Sequence, residues 1–396
     1  MDEKIRADFP ILNDIIYLDS AATSLTPEPV LEAVLSYYRE YNANVGRSVH
    51  RLSQFATQKY QNAHRKVAEF IGANHQGEVI FTKNTTEATN MVAYGLRWEK
   101  GDEVVTTLLE HHSNFLPWLR LREKGVILKI VEPTKEGIFD IADFEQAIGA
   151  RTKLVAMTHV SNVLGTISPV KEIAAICKDK GSDTLFLVDG AQSAPHIPLN
   201  VEELGCDFFA FSGHKMLGPT GTGVLWLKDP NGLQPTLFGG GMIESVSQDE
   251  YTLAEGYERF EAGTPHIAGG IGLGRAVDYL NDLGMERIRE YEERLAKRLL
   301  EGLLDIDKVQ VYGTTDPNER LGVVSFTIEG IHPHELAVML DEAADIMVRS
   351  GHHCCMPLMT YLGLKQGTVR ASLYLYNTKE EIATFLETVE GIAKVV

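Results

Sequence analysis

The sequence predicts an α/β protein: a mainly parallel central sheet with helices on both faces, accompanied by a smaller α+β domain. Three observations lead there. From about residue 60 onward, short apolar runs alternate with amphipathic stretches. A glycine-rich segment, TPHIAGGIGLG, then gives way to a long charged helical pattern, RAVDYLNDLGMERIREYEERLAKRLLEGLL. Finally, polar residues gather at the carboxyl ends of the apolar runs, where open α/β sheets bind ligands.

In chain order, ATQKYQNAHRKVAEFIGA has apolar residues at helical spacing and predicts a helix ending near Gly72. EVIFTKN predicts a short strand, and TTEATNMVAYGLRW a helix opened by threonines. DEVVTTLLEHH, VILKIVEP, TKLVAMTHVSN, TLFLVDGAQ and CDFFAFSGHK predict further strands, with helical stretches such as SPVKEIAAICKDKG between several of them. Strands alternating with helices require crossover connections, hence a parallel sheet buried on both sides. The C-terminal part, with RLGVVSFTIEG, HELAVMLDEA and TKEEIATFLETVEGIAKVV, predicts the smaller domain. The boundaries expected are 16–270 for the large domain, with 1–15 and 271–396 in the smaller one.

Acidic residues outnumber basic ones by 55 to 37, giving a net charge of -18. Such a surface repels phosphate backbones, which argues against nucleic-acid binding. No apolar run reaches bilayer length and the first residues lack a signal-peptide pattern, so a cytoplasmic protein without a membrane segment is expected.

The four cysteines include an adjacent pair in VRSGHHCCMPLM. Four consecutive residues, His352 to Cys355, cannot all wrap one ion, so no metal site is expected there. A Cys354–Cys355 disulfide is strained, because neighbouring Cα atoms lie only about 3.8 Å apart. Two ordinary loop cysteines and one activated thiol both remain open. Cys177 and Cys206, inside apolar-patterned segments, read as buried small hydrophobes.

Four strand ends carry chemistry: His111-His112, Ser161-Asn162, Asp189 with Gln192, and Ser212 to Lys215. Asp189 and Lys215 each end an apolar run, and together they suggest a pyridoxal phosphate site. That cofactor takes a lysine amine for its Schiff base and a carboxylate to keep its pyridine nitrogen protonated. Taken singly, the aspartate reads as a turn residue and the lysine as a solvated one. Thr85 and Thr86 sit where a helix begins and could cradle a phosphate, or could simply cap the helix.

YLDSAATSLTP, EHHSNFLPW, THVSNVLGT, VDGAQ, FSGHKMLGPTGTG, RFEAGTP, VRSGHHCCMP and RASLYLYNT occur in this order over nearly the whole chain. The set resembles the SUF-type (group II) cysteine desulfurases of the class V aminotransferase superfamily. The resemblance implies a fold-type I, pyridoxal 5'-phosphate-dependent homodimer that moves sulfur from L-cysteine to an enzyme cysteine. Alanine is then released, and a sulfur-acceptor protein or cluster scaffold of the SUF system takes the sulfur for iron–sulfur cluster assembly.

By motif, Lys215 would hold the cofactor and act as acid/base, Asp189 would pair with the pyridine nitrogen, and Gln192 would reach the ring oxygen. His112 would stack on the ring. Thr85, Thr86, Ser212 and His214 would hold the phosphate, joined by Thr264 from the partner subunit. Asn162 and Arg370 would grip the substrate carboxylate. Apart from these motifs, His50 in RSVHRLSQ reads either as lining the entrance or as the start of a surface helix. Cys354 matches the nucleophile, with Arg349, His352 and His353 as candidates to favour its thiolate.

Two departures stand out: Cys355 occupies a position where a small residue is common, and Asn84 replaces a common glycine. Cys355 is expected to face away from Cys354 if the loop is extended. Related chemistries implied by the same cofactor are selenocysteine lysis, sulfinate removal and transamination. A different class altogether would be a metal-binding sulfur carrier or scaffold using His352 to Cys355.

Overall fold

The computed structural model describes residues 3–180 and 183–395. Its centre is a seven-stranded sheet in the order Glu78–Thr82, Gly223–Leu227, Phe208–Ser212, Leu185–Asp189, Thr152–Thr158, Glu103–Thr107, Ile127–Val131. The four pairings from Phe208–Ser212 out to Ile127–Val131 are parallel, and only Gly223–Leu227 runs against its neighbours. This is the mainly parallel sheet expected from the alternating pattern.

Both faces are buried, and the alternation of side chains shows how. Val155, Met157, Val188, Phe209 and Phe211 enter one apolar core. Their neighbours Leu154, Ala156, Leu187, Phe208 and Ala210 enter the core on the other side. A strand apolar at every position can stand only between two such layers.

The helix Arg51–Phe70 stops just before Gly72, as expected. Gly72 has φ +71, and a Cβ there would lie 2.8 Å from the Asn200 Cα, so the turn requires glycine. The helix Thr85–Gly95 follows the first sheet strand directly, capped by Asn84 through a bond from the Glu87 N–H.

The helix Ile267–Leu283 packs on Glu28–Glu40 and Arg51–Phe70. After Gly284 (φ +83), Met285–Leu304 enters a second core. There it joins Pro333–Ala344, Lys379–Val395 and an antiparallel sheet ordered Val309–Tyr312, Val323–Ile328, Thr368–Ser372, Arg349–Gly351. Arg349 and Arg370 are cross-strand neighbours on its edge pair.

Chain position does not decide which core a residue joins. Phe9 and Leu12 pack with the first core, and so do Cys355, Leu358 and Met359. The loop carrying the paired cysteines is thereby sunk into the large unit, although its flanking strands belong to the second sheet. An Asp19–Ser372 bridge also joins the two units.

Candidate active site

At the carboxyl ends of Thr152–Thr158, Leu185–Asp189 and Phe208–Ser212 lies a cavity of about 200 Å³. Thr158, Asp189 and Ser212 close these strands, and each turn that follows adds polar groups. Gln192, His214 and Lys215 line the cavity together with Asn162, and Arg349 approaches from the second sheet.

Asp189 is fully buried and accepts the Ala191 N–H at 2.9 Å. Burial raises its carboxyl, while that bond and Lys215 oppose the rise. Burial likewise lowers Lys215, to about 8, with Asp189 pulling up and the Arg370 and Arg349 cations pushing down. The lysine therefore offers a substantial neutral fraction near neutral pH, which an ordinary surface lysine does not.

On the opposite wall Asn84, Thr85 and Thr86 begin the helix Thr85–Gly95. The Thr85 N–H donates to Ser212 Oγ at 2.9 Å, and the two hydroxyls are 2.7 Å apart. A Cβ on Gly223 would come within 2.5 Å of the Asn84 Cα, so only glycine lets the helix start this close to the sheet. A helix N-terminus with two hydroxyls at its first turn favours an anion. His214 is held neutral by burial and by Lys215, at about 4, with Nδ1 3.2 Å from Thr23 Oγ1.

The structure puts His111, not His112, on the cavity wall. The Ser113 N–H donates to His111 Nδ1 at 3.1 Å, which leaves Nε2 to carry the proton of the neutral ring. Burial and the Lys215 cation lower this imidazole to about 3. His112 faces the cysteine loop instead: its ring Nε2 accepts the Met356 N–H at 3.1 Å, and its own N–H donates to the Cys354 carbonyl at 2.8 Å. The short helical turn His112–Asn114 reverses the chain after Glu110 and sends the two rings to different places. The expectation that His112 stacks on the ring is therefore corrected to His111; the two are adjacent in the motif and no local signal separates them.

The cysteine loop is not extended. His353 and Cys354 have φ +51 and +57, and the Cys355 N–H closes the turn on the His352 carbonyl at 2.9 Å. Two adjacent non-glycine residues in this region cost on the order of 1–3 kcal/mol each, so the surroundings must hold them. The two thiols do part, as expected, but a tight turn separates them rather than strand alternation.

Cys354 is partly exposed, and the Arg349 Nη2–H donates to its sulfur at 3.2 Å. Cys355 is fully buried, its S–H donates to the Glu110 carbonyl at 3.1 Å, and burial pushes its thiol up. Cys177 and Cys206 are buried too, raised to about 12.

The histidines of the loop do not bring charge to the sulfur. His353 is lowered to about 2 by burial and by the Arg370 cation, and its Nε2 lies 2.8 Å from Thr368 Oγ1. His352 points its Nε2 at the Lys365 carbonyl, 3.0 Å away. Arg349 is the cation at the thiol. The four side chains of the cluster thus point at four different partners, which is no ligand set. Among the described residues no three His, Cys, Asp or Glu side chains gather as a metal site.

Other expected residues sit differently. Gln192 lines the cavity, but its amide donates to the Ala21 carbonyl at 2.8 Å. The Asn162 amide donates to the His353 carbonyl at 2.8 Å, steadying the cysteine turn. Arg370, fully buried, donates to the Asn162 carbonyl and to Asp19 Oδ1, both at 2.9 Å. Among the described residues its Nε has no hydrogen-bond partner. Thr264 lies in a second cavity of about 220 Å³ with Glu261 and His266, not in this one. His50 is an exposed cap, its Nδ1 accepting the Ser53 N–H at 3.3 Å, and it does not border the 200 Å³ cavity.

Two residues escaped the sequence reading. Asp19, within the quoted YLDSAAT, is the counter-ion of Arg370. Glu110, before the histidine pair, is fully buried and accepts from the Thr107 hydroxyl and the Thr158 N–H at 2.7 and 3.0 Å. A carboxylate inside an otherwise apolar strand end was the available signal for Glu110.

A partly buried lysine, a buried aspartate, a neutral histidine and an anion-favouring helix start thus line one cavity at the edge of a doubly covered sheet. The chain belongs to the class-V aminotransferase family, whose model matches residues 16–385. Several relatives illustrate the likeness. A protein of Methanothermobacter thermautotrophicus named "Probable cysteine desulfurase" is 49% identical over 396 residues, covering 99% of this chain and 98% of that one. A "Cysteine desulfurase" of Haloferax volcanii is 42% identical over 414 residues, covering 98% and 96%. The apo structure of a cysteine desulfurase from Thermococcus onnurineus superposes with a TM-score of 0.96 at 49% identity, covering 100% and 99% of the two chains. The Escherichia coli cysteine desulfurase CsdA in its S-sulfonic acid form gives 0.90 at 33%, covering 99% and 98%.

Proposed function

We propose that the protein is a pyridoxal 5'-phosphate-dependent cysteine desulfurase that takes sulfur from L-cysteine, leaves it as a persulfide on Cys354 and releases L-alanine. One observation carries the reading. The partly exposed thiol, Cys354, is held by Arg349, and Arg349 lines the same cavity as Lys215 and Asp189.

The residues present fit the cofactor. Asp189 is a buried carboxylate for a ring nitrogen, Lys215 a partly neutral amine for an aldehyde, and His111 a neutral ring on the wall. The first turn of Thr85–Gly95, with Ser212 and His214, suits a phosphate. Bound there, the cofactor would supply an electron sink for the substrate Cα.

The chain's own groups do the rest. Lys215 in its neutral form takes the Cα proton and later returns it. Arg370 is the cation assigned to the substrate carboxylate; it is buried behind Asn162, outside the cavity lining, with Asp19 and the Asn162 carbonyl holding its guanidinium. Arg349 favours the Cys354 thiolate, which forms the S–S bond as the substrate C–S bond breaks. Cys355, buried and protonated, does not compete.

A homodimer completes this reading. Thr264 does not line the 200 Å³ cavity of its own chain, and Leu237, Phe238 and Tyr251 leave large apolar surface exposed for a second copy to cover. The sulfur would pass to an acceptor protein of the SUF type for iron–sulfur cluster assembly. No helix among the described residues is long and apolar enough to cross a membrane.

The test is peptide mass spectrometry after exposure to L-cysteine, together with alanine production by Cys354→Ala. One added sulfur on the Cys354 peptide, and no alanine from the variant, is the expected result. Undiminished alanine from Cys354→Ala would sink the proposal. Running selenocysteine and cysteine sulfinate in parallel reports the substrate preference.

A further inference from the structure

Desulfuration as proposed gives Cys355 no task, yet its thiol is buried and hydrogen-bonded out of the loop. It is fully buried, donates to the Glu110 carbonyl at 3.1 Å and lies 3.7 Å from the Leu108 carbonyl. Burial and the neighbouring Glu110 carboxyl keep the sulfur protonated, so the donor persists.

The turn that precedes it is costly. His353 and Cys354 both hold positive φ, a geometry that survives only where several contacts enforce it. Three of these grip the turn's own carbonyls: Cys355 N–H on His352, Asn162 on His353, and His112 N–H on Cys354. The fourth, the Cys355 thiol, reaches out of the turn to residue 110, immediately before His111 on the cavity wall. Leu358 and Met359, in the next helical turn, anchor the same segment in the large core.

We propose that Cys355 is a positioning residue: its S–H···O=C bond to Glu110 fixes the cysteine turn against the His111 side of the cavity and so orients Cys354. No bond to the Cys355 sulfur forms or breaks during turnover. This rests on Cys354 being the nucleophile.

The experiment compares the cofactor-loaded parent with Cys355→Ala and Cys355→Ser. Serine keeps a donor at the position, and alanine removes it. Two assays are run: kcat and KM for alanine formation from L-cysteine, and the rate of Cys354 alkylation by iodoacetamide, assigned to that residue by fragment ions in mass spectrometry. Cys355→Ala should lower kcat about fivefold, the fold-change expected for one net hydrogen bond, with KM changed by less than about twofold. Its Cys354 should alkylate about threefold faster as the turn loosens, and Cys355→Ser should return both to within about twofold of the parent.

An alanine variant matching the parent in both assays overturns the proposal. So does a serine variant that folds but behaves like alanine, or sulfur that fragment ions place on Cys355 rather than Cys354 of the parent. If the alanine variant does not fold, the serine variant decides: parent-like behaviour supports the role, and loss with an unchanged far-UV spectrum refutes it. The nucleophile assignment fails separately, through alanine production by Cys354→Ala.

Discussion

Arg349→Gln isolates the interaction on which the proposed chemistry turns. The guanidinium donates to Cys354 Sγ at 3.2 Å from a neighbouring strand; among the described residues no other side chain hydrogen-bonds that sulfur, and Lys215 and Arg370 act on it only through space. A hydrogen bond to a charged group is worth about 1.5–3 kcal/mol net. If the bond is made chiefly to the attacking thiolate, its loss should lower kcat by about ten- to a hundredfold. KM should move little, because the carboxylate grip is assigned to Arg370. Alanine release from L-cysteine by steady-state kinetics measures both, and iodoacetamide labelling should show slower alkylation of Cys354. Arg349→Lys should recover part of kcat, since it restores the charge but not the planar donor. A kcat within about threefold of the parent refutes the thiolate role, and a pure rise in KM makes Arg349 a carboxylate ligand instead.

Other perturbations test the remaining walls of the site. Lys215, lowered to about 8 by burial, should react with an aldehyde in borohydride trapping with a midpoint near that pH; a midpoint near that of a free lysine contradicts the burial argument. His111→Ala should shift the visible absorbance of the bound cofactor, whereas His112→Ala should leave the spectrum alone and alter Cys354 alkylation; the reverse pattern would restore His112 to the ring. Burial raises the Glu110 carboxyl from 4.5 to about 8, so the folded chain keeps a proton that the unfolded chain releases. Its linkage therefore favours the fold most below the unfolded pKa of about 4.3, and stability should fall as pH climbs toward 8. Thermal midpoints of Glu110→Gln between pH 5 and 8 should lose this slope, and parallel curves for variant and parent would refute the assignment. Glu292→Ala leaves the buried His196, 2.8 Å away, without its hydrogen-bond partner and should destabilise by about 1–3 kcal/mol, read by denaturant unfolding; an unchanged stability would show the pair to be dispensable.

The outline of the site was legible because strand ends are legible. An apolar run that halts at Asp189 or at Ser212 marks both a buried strand and the edge where ligands sit, so sequence order alone gathered Asp189, Gln192, Ser212 and Lys215. The choice between His111 and His112 was not legible, because it depends on a chain reversal three residues long. Cys354 and Cys355 could be told apart in outcome but not in cause. The paired positive φ values come from contacts to residues 110, 112 and 162, none of which lies near the turn in sequence.

By itself the sequence determined a doubly covered parallel sheet and the lysine and aspartate at its rim, since hydrophobic periodicity and strand termination are local properties. It also supplied the motif order that points to a family. Only the tertiary structure decided which side chains meet: that Arg349 rather than a histidine faces the Cys354 sulfur, that Asp19 braces Arg370, and that the cysteine turn is seated in the large core. Asp19 and Arg370 are 351 positions apart, and even Arg349 and Cys354, five apart, meet only through the geometry of the buried turn, which no local pattern encodes.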